Sequence, residues 1–99
     1  MKFMVSWRVH DDKRTETLAI WASLTPEQRA DAGEGVTMIG RWHDLAAGMG
    51  VLIVETNDLS ALNRYLGQWN PFMDLEVVPV LGDEESAAAA KQIVADLSA

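Results

Sequence analysis

The chain has 99 residues, 48% apolar and 23% charged, a balance that places it with ordinary globular domains and away from disordered or fibrous chains. At that length one core forms and roughly 60–70% of the unfolded surface is buried, so a single domain over residues 1–99 is expected. Fifteen acidic against eight basic side chains give a net charge of −7, which repels nucleic-acid phosphates and anionic membranes, and the absence of cysteine removes disulfides, thiolate metal sites and cysteine nucleophiles.

The opening MKFMVSWRVH carries an apolar run too short and too interrupted for a signal peptide or a membrane span, so a cytoplasmic location is the expectation. Within it, Phe3, Val5, Trp7 and Val9 alternate with Met4, Ser6 and Arg8, the period of a half-buried strand over residues 2–9. His10, Asp11 and Asp12 supply a turn and an N-cap before Lys13, and Leu18, Trp21 and Ala22 follow at the spacing of an amphipathic helix. Thr25-Pro26-Glu27-Gln28 has the form of a capping box with proline at the first helical position, so a short helix restarts there and Gly33 and Gly35 end it.

Residues 36–43 read as the second strand and residues 51–56 as the third, joined by a turn at 46–50 with two glycines available for positive φ. Asn57 or Asp58 caps a helix with Leu59, Leu62, Leu66 and Trp69 on one face, ended by Asn70-Pro71. A fourth strand is expected over residues 73–81. Asp83, Glu84 and Glu85 then load the first turn of a last helix, where the macrodipole favours negative charge, and Ala90, Ile93, Val94 and Leu97 form its apolar stripe.

This order predicts an α+β, ferredoxin-like βαββαβ core over residues 1–82, with a four-stranded antiparallel sheet and an extra C-terminal helix over 83–99. Right-handed crossovers put strands one and three side by side at the centre, running parallel in this reading, with two and four at the edges. Both core helices cover one face of the sheet and leave the other bare, which favours a homodimer that pairs two sheets around a barrel-like interior.

MKFMVSWRVH, the central GRWHDL and the later WNPFMDLEVVPVLGDEE together resemble the uncharacterised bacterial family called domain of unknown function 3303, over Met1 to about Glu85. The resemblance implies a fold similar to the dimeric α/β barrels, whose members include cofactor-free monooxygenases, isomerases of small cyclic acids and haem-binding enzymes. It implies no assigned activity and brings no catalytic residues.

The chemistry-bearing residues cluster in GRWHDLAAGMGVLIVE, residues 40–55. If Asp44 faces Gly50 across the hairpin, His43 pairs with Val51, Arg41 with Ile53 and Ile39 with Glu55. Ser6 and Arg8 then share the helix-free face with Arg41, His43 and Glu55, joined by Asp74 and Glu76, and Arg8 pairs with Glu55 across the two central strands. Two uses fit this set. Arg8, Arg41, His43 and Glu55 hold a small polar or anionic ligand between the sheets of a dimer, with His43 or Glu55 moving a proton, in a small-molecule binding protein or cofactor-free enzyme. Alternatively Arg8, Arg41 and Glu55 are an ion-pair network fixing the register of a non-catalytic dimeric module.

His10 and His43 with Asp11, Asp12 or Asp44 have the composition of a two-histidine, one-carboxylate iron site but no ligand spacing that marks one, and nothing singles out His43 as a haem ligand. No metal and no cofactor are therefore assigned. Trp7, Trp21, Trp42 and Trp69 each fall where a strand or helix turns inward and are read as core, with Gly40 leaving room for the Trp42 indole.

Overall fold

Alternation in the opening segment is realised as β1 (Lys2–Val9), the strand on which the sheet is built. A computed structural model describes residues 1–99 and continues from β1 through a 3₁₀ turn (Asp11–Lys13) into α1 (Arg14–Ser23) and α2 (Pro26–Ala30). The hairpin β2 (Val36–Asp44) and β3 (Met49–Thr56) follows, then α3 (Leu59–Gly67), β4 (Met73–Val80) and α4 (Asp83–Ser98). The result is the expected α+β, ferredoxin-like order with a C-terminal helix.

The helix boundaries follow local chemistry. The Thr25 hydroxyl accepts from the Gln28 N–H and the Gln28 side chain accepts from the Thr25 N–H, closing the capping box that starts α2. Asp58, not Asn57, caps α3, its Oδ1 accepting from the Ala61 N–H at 3.1 Å. At α1 the expected side-chain cap from His10, Asp11 or Asp12 does not form. Asp11 and Asp12 are spent in the 3₁₀ turn, and Lys13 occupies the cap position without a side-chain bond.

The strand order is β2-β3-β1-β4, with every neighbouring pair antiparallel. β1 and β3 are the central neighbours, as expected, but they run antiparallel. Because the β1–α1–α2–β2 crossover makes β1 and β2 parallel, a tight hairpin from β2 necessarily reverses β3. The consequence for the candidate residues is large. Lys2 lies opposite Glu55, and Arg8 lies opposite Met49 at the far end of the strands, so Arg8 and Glu55 do not meet.

The hairpin register also differs from the expected one. Asp44 pairs with Met49, His43 with Gly50, Trp42 with Val51 and Arg41 with Leu52, a slip of one residue. The loop is residues 45–48, one shorter than expected, and Gly48 takes φ 69° in it. A shift of one residue changes which side chains share a face. Arg41 and His43 therefore lie on the rungs of Leu52 and Gly50 beneath the helices, and Trp42 turns to the bare face. A bulge at Ile39 then resets the strand, so that Val36 still packs on the core.

Phe3, Val5, Leu52, Val54, Leu62 and Leu66 form the core, which α3 covers closely. α1 contributes only Thr17 to the buried set. The bulky side chains of Trp7, Trp21, Arg41 and His43 stand between it and the sheet. α4 buries none of its residues, and its Ile93, Val94 and Leu97 stripe is uncovered within one chain.

Candidate ligand-binding site

A cavity of about 90 Å³ lies between the sheet and helices α1 and α3, where α1 is held off the core. Its floor comes from Trp7, Leu52 and Leu75 of the sheet, and its walls from Leu18 and Trp21 of α1, Leu66 of α3 and Trp69 after it. Arg14, Thr17, Arg41, His43, Asp44 and Tyr65 place polar groups around this apolar lining, two arginines against one carboxylate. That combination, a mostly apolar concavity with a few convergent polar groups, is the usual form of a small-molecule site.

Arg41 is the best-positioned of these groups. Its Nη1 donates to the Arg29 carbonyl and its Nη2 to the Tyr65 hydroxyl, both at 2.9 Å, while its guanidinium carbon stands 4.9 Å from the Trp21 ring centre. Two hydrogen bonds and a cation–π stack fix the fork without neutralising it. The ion pairs of the chain involve Met1, Lys2, His10 and Lys13; Arg14, Arg29, Arg41 and Arg64 have no carboxylate partner. In a chain of fifteen acids, half-buried Arg41 thus remains unpaired beside an apolar cavity.

His43 sits next to it, its ring 5.4 Å from Trp7 and 4.8 Å from Trp21. Partial burial against these indoles, and secondly the Arg41 charge, hold the pKa of this still solvent-exposed ring below the ordinary histidine value, so the imidazole is neutral at neutral pH. Gly50 makes this packing feasible, because a Cβ there would come 2.0 Å from the Trp7 ring. Arg14 ties α1 to the hairpin turn by donating to the Ala46 and Ala47 carbonyls at 3.2 and 2.9 Å. Thr17 is 8% exposed, and its Oγ1 has no hydrogen-bond partner in the protein.

Of the four residues expected to share one site, Arg41 and His43 are together at this cavity, on the helix-covered side. Arg8 and Glu55 are on the opposite face and at opposite ends of it. Glu55 instead accepts from the Met1 ammonium at 2.9 Å and lies 3.4 Å from the Lys2 ammonium; the Met1 hydrogen bond is the main cause holding its pKa below the usual carboxylate value. Asp74 and Glu76 are on the bare face as expected, on the rungs of Arg8 and Ser6, and Asp74 bonds His10 at 3.1 Å.

Trp21, Tyr65, Arg14 and Thr17 complete the cavity without having been singled out as ligand contacts from sequence. The signal for Tyr65 was available, since it follows Leu62 by three and precedes Leu66 by one on the amphipathic face of α3. No group of three or more His, Asp or Glu side chains converges anywhere, and no helix is long and apolar enough to cross a membrane.

Comparison with curated proteins and with solved structures gives no match. The family model described as Domain of unknown function (DUF3303) matches residues 1–94, the whole βαββαβ core and most of the C-terminal helix, and the chain belongs to that family.

Proposed function

We propose that this protein binds a small organic anion in the cavity between the sheet and helices α1 and α3, with the anionic group at Arg41 and the apolar part against Trp7, Trp21 and Leu66. The observation that carries this reading is the guanidinium of Arg41, fixed by two hydrogen bonds and in no ion pair, beside a mainly apolar cavity. A charge-assisted, bidentate contact to a carboxylate uses the Arg41 donors that Tyr65 and Arg29 leave over. Neutral His43 gives the same site a hydrogen-bond or proton acceptor, the group that cofactor-free chemistry would employ here.

Trp7, Trp21 and Trp69 line the cavity and report its occupancy by fluorescence. Titration with butyrate and 4-methylpentanoate is expected to change that emission saturably, the corresponding amides are not, and Arg41→Gln removes the response. Equal responses to acid and amide would exclude anion recognition.

The bare sheet face favours a second, compatible reading, the dimeric module. Trp42, Met4, Met49 and Val78 are exposed there, with Val51 and Ile53 between them, and α4 adds an uncovered apolar stripe. A second copy of the chain covering this face would form a homodimer. Light scattering at micromolar concentration is expected to give twice the 10.9 kDa chain mass, and a concentration-independent monomer contradicts it.

A further inference from the structure

The cavity does not stand alone. A groove of about 590 Å³ runs between the segment after α1 and helix α3, and it shares Trp21, Tyr65 and Trp69 with the cavity as a common wall. Arg41 stands at this junction, reaching from the cavity to the Tyr65 hydroxyl and the Arg29 carbonyl on the groove side. The two chambers differ in chemistry. The inner one is predominantly apolar, and the outer one is lined by Gln28, Gln68, Arg29, Arg64, Asp31 and Glu34, with both signs of charge.

The inner chamber, about 90 Å³ and open to solvent on one side, offers a lining of indoles and leucines that suits a short branched alkyl group. The balanced charges of the outer groove suit a neutral polar body better than a second anion. Its carboxamides can serve an amide there. Gln28 uses its Oε1 on the Thr25 N–H and keeps its NH₂ to donate, and Gln68 makes no side-chain bond within the protein and keeps both groups.

Resting on the anion site proposed above, we infer that the ligand class is the N-acyl α-amino acid, or the C-terminal end of a short peptide, with a small branched side chain. An α-carbon is where the three features of this site converge: the alkyl side chain enters the inner cavity, the carboxylate meets Arg41 at the junction, and the acyl amide lies in the groove between Gln28 and Gln68. The exchange of water for these contacts is non-covalent and needs no co-reactant.

Calorimetric titration of the full chain with four probes tests this. N-acetyl-L-leucine is expected to bind about tenfold tighter than 4-methylpentanoate, which lacks the amide, the gain a satisfied amide contributes at the upper end of its range. It is likewise expected to exceed N-acetylglycine, which lacks the side chain, and N-acetyl-L-leucinamide, which lacks the carboxylate. Gln68→Ala, at an exposed position, is expected to erase the advantage of N-acetyl-L-leucine over 4-methylpentanoate. If 4-methylpentanoate or N-acetylglycine binds as tightly as N-acetyl-L-leucine, the two-chamber ligand is wrong and the anion site stands. If the leucinamide matches the acid, or none of the four binds at millimolar concentration, the anion site falls with it.

Discussion

The Arg41 guanidinium stacks on the Trp21 indole at 4.9 Å while the same indole lies 4.8 Å from the His43 ring, so one α1 side chain holds two β2 side chains in place. This arrangement makes His43 a reporter of the site. Its lowered pKa follows first from burial and second from Arg41. A two-dimensional NMR titration is expected to find His43 protonating below 6.5, and Arg41→Gln is expected to raise that value only part of the way back, because burial remains.

The same shift has a sign for stability. Above pH 6.5, His43 is neutral folded or unfolded, and the stability linked to its neutral form is fully present. As pH falls below that value the unfolded chain takes the proton first, and the contribution is lost through the lowered folded value. Denaturant melts between pH 7 and 5 should show this dependence flatten in His43→Gln. An unchanged slope in the variant would mean that the imidazole is not held as described.

Trp42→Ala is expected to cost the monomer less than about 1 kcal/mol, the range of a surface substitution, since the indole is 60% exposed on the bare face. The ring folds back over Gly40, where a Cβ would lie 2.5 Å from it, so the glycine does make room for the indole but outside the core. A urea melt losing about 3–5 kcal/mol, the cost of emptying a buried aromatic site, would contradict this placement.

Arg8→Met and Glu55→Gln are expected to be additive within about 0.5 kcal/mol, as for residues with no shared partner. Arg8 lies on the rung of Met49 and Asp74, and Glu55 on that of Lys2. A double-mutant cycle with coupling above about 1 kcal/mol would require a sheet in which the two strands run the other way.

Two glycines give opposite expectations for alanine. Gly50→Ala is expected to destabilise by about 1–3 kcal/mol through overpacking, since its Cβ would lie 2.0 Å from the Trp7 ring. At Gly67, in the last turn of α3, a Cβ meets nothing within 4 Å, and alanine is expected to stabilise by up to about 1 kcal/mol through helix propensity. Paired thermal and urea melts of the two variants check the contrast.

Alternation in β1, the capping box at Thr25, the Asp58 cap and the leucine spacing of α3 each speak through residues close in the chain, and the element order was legible from them. The placement of the site depended on one residue of hairpin register, which local pattern does not fix when both candidate faces of β3 are apolar. Val51 and Ile53 alternate with Leu52 and Val54, so either set could face the core. Arg41 and His43 therefore looked suited to an open face, although the tertiary structure stacks them beneath Trp21. The stack depends on a helix residue some twenty positions upstream of them, and on Tyr65 beyond the hairpin, contacts that no local spacing encodes.

The most direct test of where the ligand sits is chemical-shift mapping on the isotopically labelled chain during titration with 4-methylpentanoate. Saturable shifts are expected at the Trp21 and Trp69 indole N–H, the Arg41 guanidinium, the His43 ring and the Thr17 methyl, with Trp42, Ile53 and Val78 on the opposite face unmoved. Shifts confined to Trp42, Ile53 and Val78, with Arg41 and His43 silent, would place binding on the bare face and contradict a site beneath the helices.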